Sequence, residues 1–76
     1  MFKIVYIWTN AKKWIPEKAE RVIPENFPER NIRIQRNEDE KTLTIESEDG
    51  PLLDEIVQFM SEHAVFKIHL TLKKES

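Results

Sequence analysis

The order of elements written in this 76-residue chain is strand, helix, strand, strand, helix, strand. It predicts an α+β domain of the ferredoxin-like βαββαβ type: a four-stranded antiparallel sheet in the order 4-1-3-2, with two helices on one face and the first helix short and bounded by prolines. Three observations carry the prediction. Residues 2–8 are apolar at nearly every position, as in a strand buried on both sides. Three later stretches alternate apolar and polar residues with period two, and residues 51–64 set apolar residues at three- and four-residue spacings.

The first strand, Phe2-Lys3-Ile4-Val5-Tyr6-Ile7-Trp8, is rich in β-branched and aromatic residues and takes a central place in the sheet. With Phe2, Ile4 and Tyr6 turned toward the helices, it buries the larger area and leaves Lys3 in water. Residues 16–22 form the first helix, opening on Pro16 with Ile15, Ala19, Val22 and Ile23 on one face. Pro24 ends it, because the residue before a proline is pushed out of the helical region. Phe27 anchors the proline-punctuated stretch that follows. Residues 31–36 and 42–46 alternate around the polar turn Asn37-Glu38-Asp39-Glu40 and make a hairpin with one wet face. Asp49-Gly50-Pro51 starts the second helix, with Asp54 and Glu55 in the early turns where the helix dipole favours negative charge. Its stripe is Leu52, Leu53, Ile56, Val57, Met60 and Ala64, and His63 near its carboxyl end suits the same dipole. Phe66, Ile68, Leu70 and Leu72 then alternate with Lys67, His69, Thr71 and Lys73 in the fourth strand, the cleanest alternation in the chain.

Composition removes whole classes of chemistry. At 39% apolar and 34% charged residues, the chain reads as a single soluble domain over residues 1–76, too hydrophobic for a disordered tail and too polar for a membrane protein. Without cysteine there are no disulfides, thiolate zinc sites, iron–sulfur clusters or cysteine nucleophiles. A lone glycine, Gly50, leaves no glycine-rich loop to cradle phosphate. No apolar run approaches the roughly 20 residues of a membrane span, and the amino terminus lacks the pattern of a secretory signal. A cytoplasmic location and no membrane partner are therefore expected. Net charge is −2, but residues 1–36 carry eight cations against four acids while residues 37–76 carry four against ten. A globally acidic chain disfavours nucleic acid as the partner yet leaves room for a local basic patch.

The open face of such a sheet presents Arg33, Gln35, Thr42, Thr44, Glu46, Lys67, His69 and Thr71, with Val5 and Ile7 at its centre. Apolar side chains in the middle of an uncovered sheet suggest a self-association surface rimmed by Thr42, Thr44 and Thr71. Lys12-Lys13-Trp14 pairs two cations with a large aromatic in the loop leaving the central strand. It either anchors a partner or closes the core together with Ile15. Val5-Tyr6-Ile7-Trp8-Thr9-Asn10 resembles the first-strand motif of the RNA-recognition motif family, whose aromatic stacks on a base. The family's partner motif, a glycine with two aromatics on the third strand, is missing from Lys41-Thr42-Leu43-Thr44-Ile45-Glu46, so membership is not assigned. His63 and His69 have no ligand partner at helical spacing, and the acids near the turns lack a calcium-loop pattern. No catalytic residue, metal or cofactor is expected.

These observations favour a small non-enzymatic module that binds protein, either a second copy of itself through the open sheet face or another chain. A nucleic-acid binder using Lys12, Lys13 and Trp14 with Arg33 and Arg36 is the alternative. A third reading is a ligand-binding or enzymatic domain with His69 on the open face as its base.

Overall fold

The computed structural model describes residues 1–8, 12–28 and 30–73. Its elements are β1 (Phe2–Ile7), α1 (Trp14–Asn26), β2 (Arg33–Asn37), β3 (Thr42–Ser47), α2 (Gly50–Ser61), α3 (Ala64–His69) and β4 (Thr71–Lys73). The architecture is α+β, a four-stranded sheet in the order β2-β3-β1-β4 with every neighbouring pair antiparallel. Three helices, rather than two, share one core with it.

Register divides the sheet into two faces. Tyr6 lies opposite Leu43 and Ile4 opposite Ile45, while Val5 lies opposite Thr44 and Ile7 opposite Thr42. Leu43 and Ile45 are fully buried, so Ile4 and Tyr6 face the helices and Val5 and Ile7 face away. Phe2 belongs to the inward phase by its parity, but it is 57% exposed, because the helix layer ends at the start of α2. A side-chain carbon on Gly50 would meet the Phe2 ring at 3.4 Å.

The first helix runs 13 residues and does not stop at Pro24, which lies inside it. Ile15, Ala19 and Ile23 recur on one face and are buried in the core, and Phe27 packs against the same cluster. That burial offsets the amide hydrogen bond lost at Pro24, whose own position is exposed, so the unpaired carbonyl one turn back can face water. The helix closes with Asn26 Nδ2 donating to the Val22 carbonyl and the Phe27 amide donating to the Ile23 carbonyl.

The β2–β3 turn is held by the Glu40 amide donating to Asn37 Oδ1, and Lys41 takes the left-handed conformation at φ +56°. At the start of α2 the Asp49 side chain accepts from the Leu52 amide at 3.2 Å, with Pro51 in the first turn. Leu52, Leu53, Ile56 and Met60 are its buried face.

The largest departure from the alternating pattern falls on residues 64–69. They form α3, not the first half of the fourth strand, and among the described residues β4 spans Thr71–Lys73. Within α3 the Lys67 amide donates to the His63 carbonyl, and the Leu70 amide closes the helix on the Phe66 carbonyl. Phe66 and Leu70, four residues apart, are buried, whereas Ile68 is 73% exposed. Period two and a spacing of four coincide at Phe66 and Leu70, so only Ile68 separates the two patterns. Ala64, expected on the stripe of the second helix, instead begins α3 and is exposed.

Candidate functional site

The open face of the sheet has three cross-strand rows. Arg33, Glu46 and Lys3 make the first; Gln35, Thr44, Val5 and Lys73 the second; Asn37, Thr42, Ile7 and Thr71 the third. Thr42 and Thr44 are half-buried and Thr71 and Arg33 are exposed. Val5 is only 8% exposed, so its neighbours on the sheet already cover it, and Ile7 is half-buried. This face is more polar than the alternation of β1 alone suggests.

His69 is not on that face. It lies at the carboxyl end of α3, exposed, where a cation in the last turn of a helix is favoured. Arg36 also leaves the expected basic set, since it lies on the helix-facing side of β2. Its Nη1 sits 2.7 Å from Glu20 Oε2 and 3.7 Å from Glu17 Oε1, without the alignment of a hydrogen bond. Two acids of α1 thus hold it against the helix layer.

Lys12, Lys13 and Trp14 stand at the start of α1. Lys13 Nζ lies 3.0 Å from Glu38 Oε1 and ties the helix start to the β2–β3 turn. The Lys13 hydrogen bond and charge hold the Glu38 carboxyl below its ordinary pKa. Trp14 is 49% exposed, and Ile15 rather than Trp14 closes the core. The cations of the nucleic-acid reading therefore do not gather: Lys13 is paired with an acid, Arg36 faces the helices and Arg33 sits opposite Glu46.

His63 is bound into the structure. Its Nδ1 lies 2.8 Å from the Phe59 carbonyl oxygen, and its ring centroid is 4.3 Å from that of Phe59 and 5.6 Å from that of Phe66. Phe27 meets Phe59 edge-on at 5.7 Å. This aromatic run staples the end of α1 to the α2–α3 junction. Arg30 Nη2 reaches Asp49 at 3.0 Å and Glu55 at 3.9 Å, joining the entry to β2 with the start of α2.

One concave surface includes Thr42 and Thr44 of the open face, and others lie elsewhere. A broad polar cleft of about 750 Å³ surrounds the β2–β3 turn, lined by Gln35, Asn37, Thr42 and the acids Glu38, Asp39 and Glu40. Among the described residues no group of three or more His, Asp or Glu side chains is placed to hold a metal ion. A largely apolar groove of about 380 Å³ runs between β1 and α2, lined by Phe2, Ile4, Gly50, Leu53, Val57 and Leu72 with the charged Lys3 and Asp54 among them. A second hollow of about 210 Å³ shares Val57 and Leu72 with it and continues past Tyr6, Met60, Phe66 and Leu70. Burial pushes the Tyr6 hydroxyl up to about 12.

Sequence reasoning missed this groove. Its residues read as core, since Phe2, Ile4 and Leu72 belong to the inward phases of their strands. No signal in the sequence separated them from the fully covered positions, because exposure here depends on how far α2 reaches over β1 and β4. No protein-family model, curated protein or solved structure matches this chain. Among the described residues no helix is long and apolar enough to cross a membrane.

Proposed function

We propose that this chain is a non-enzymatic binding module acting through protein–protein contact, built on a ferredoxin-like sandwich. Counted from β4, the strand order is 4-1-3-2, and α3 is an added turn between the second helix and the last strand. One observation carries the functional reading: Phe2 at 57% exposed and Leu72 at 38% exposed are walls of the same apolar groove. Single exposed apolar residues are ordinary on a protein surface, but two of them on one concave apolar wall are a feature of binding surfaces. Covering the exposed parts of these two side chains contributes about 1.5 to 3 kcal/mol in total, a share of a partner's binding that further contacts along the groove must complete. The test is selection of a random peptide library on the chain, followed by rebinding to Leu72→Arg. Recovered peptides should lose binding in Leu72→Arg while the variant keeps its circular dichroism spectrum. Recovery only of peptides indifferent to the substitution, or of none, refutes the groove as a binding surface.

Self-association through the open sheet face is the second reading, favoured by the uncharged row of Thr42, Ile7 and Thr71 beside Thr44. It requires a dimer in sedimentation at micromolar concentration that Ile7→Lys dissociates. A monomer mass independent of concentration removes it.

A further inference from the structure

We propose that the hollow where β1, α2, α3 and β4 meet is a binding site for a small free carboxylic acid, its tail on the apolar walls and its carboxylate between the Tyr6 hydroxyl and the Lys67 ammonium. The site goes beyond the protein contact of the neighbouring groove and does not depend on it. Exposure grades the lining from floor to rim. Tyr6, Met60, Phe66 and Leu70 are 4% exposed or less and form the floor, whereas Ser61, Lys67 and Leu72 are exposed and form the rim. The volume is about 210 Å³. An apolar cavity of about 150 Å³ holds a benzene molecule, so this one takes a chain of about four to six carbons and little more.

Tyr6 is the polar group of the floor. A buried tyrosine ordinarily directs its hydroxyl to a hydrogen-bond partner. Here the side chain is 4% exposed and the hydroxyl meets no partner among the described residues. Its oxygen is not among their sealed polar atoms either, so the space beside it is the hollow that Tyr6 lines. Burial pushes the hydroxyl up to about 12, which keeps it protonated and a donor at neutral pH. Lys67 supplies charge at the rim. Its ammonium makes no ion pair with a described residue, and among the described residues no acid lines the hollow. A lysine in such a place keeps its stem on the apolar wall and its head at the water boundary.

These groups select the guest. A purely apolar molecule leaves the hydroxyl without a partner, and a cation meets Lys67 as a like charge. A carboxylate accepts from Tyr6 with one oxygen and from Lys67 with the other, and hydrogen bonds to a charged group are the stronger ones. A hollow of this volume is about 7 Å across, a width that a carboxylate with a hydrogen bond of about 2.8 Å on either side spans. A second charge on the guest would lie unpaired against Met60, Phe66 and Leu70, so the acid carries one carboxylate and an unsubstituted tail.

The test is a titration of the full chain with sodium hexanoate at neutral pH and constant ionic strength, followed by amide NMR, beside hexan-1-ol as the uncharged counterpart. Hexanoate should saturate with a Kd of about 1 mM, as suits a ligand this small, and move the amides of Val57, Ser61, Lys67 and Leu70. It should bind about five- to tenfold more tightly than the alcohol. Lys67→Met, which keeps the stem and removes the charge, should erase that preference, and Tyr6→Phe, which keeps the ring, should weaken hexanoate about five- to tenfold. Both variants should retain the parent's circular dichroism spectrum; if one loses it, the other and the comparison of acid with alcohol decide. Shifts that do not saturate, equal binding of acid and alcohol, an affinity for hexanoate that neither substitution changes, or shifts confined to residues away from the hollow overturn the proposal.

Discussion

Paired substitutions at Phe66 and Ile68 test the placement of α3. As members of one alternating strand, both side chains would enter the core and both truncations would cost several kcal/mol. As members of a helix they part: Phe66 is 1% exposed and Ile68 is 73% exposed. A fully buried isoleucine contributes about 1.5 to 3 kcal/mol, so the quarter of Ile68 that is covered is worth about 0.5 kcal/mol. Alanine recovers a few tenths of that through its helix propensity. Ile68→Ala should therefore leave stability within about 0.5 kcal/mol of the parent. Phe66→Ala removes a ring packed among core side chains and should cost about 3 to 5 kcal/mol. For a domain of this length the total is about 4 to 11 kcal/mol, so that variant sits near the edge of folding. Phe66→Leu, expected to cost about 1.5 kcal/mol or less, keeps the comparison measurable. Urea unfolding followed by far-ultraviolet circular dichroism reads all three. A loss of 2 kcal/mol or more in Ile68→Ala would refute the helical placement.

Two further outcomes follow from local geometry. Lys41→Gly should raise stability by about 0.5 to 1 kcal/mol in the same assay, because a left-handed residue with a side chain costs about 1 to 2 kcal/mol and glycine returns only part of that through its freer unfolded chain. A neutral or destabilising result means that the Lys41 side chain contributes to the turn. The Tyr6 hydroxyl, raised by burial to about 12 from its ordinary value of 10.0, contributes stability that is complete below about pH 10 and lost as the pH climbs toward 12. Melting temperatures from pH 9.5 to 12 should fall more steeply for the parent than for Tyr6→Phe; parallel curves would show that Tyr6 ionises freely in the folded chain.

Where local chemistry and tertiary burial demand the same thing, the chain is legible without a structure. The start of α2 is such a place, since Asp49 caps it and Pro51 suits its first turn. So is the central place of β1, whose apolar, β-branched sequence suits a strand flanked on both edges and lies between β3 and β4. The inward turn of Ile4 and Tyr6 follows from area alone. Legibility fails where one pattern has two solutions. Phe66 and Leu70 satisfy a strand and a helix equally, and Pro24 reads as a stop although burial of Ile23 and Phe27 carries the helix through it. Arg36 belongs by alternation to the face shared with Ile34, a placement made tolerable by Glu17 and Glu20 across the gap.

The same division governs the candidate site. By itself the sequence determined the class of fold, the inward phase of the central strand and the removal of thiolate and phosphate-loop chemistry, because these depend on residue type and short-range periodicity. Which apolar residues remain uncovered depends on how far one element reaches over another. Only the tertiary structure decided that Val5 is already covered on the open face while Phe2 and Leu72 are not. Coverage of a side chain depends on which element folds over it, and residues 64–69, which alternate like a strand, instead turn into α3 and pack Phe66 into the core.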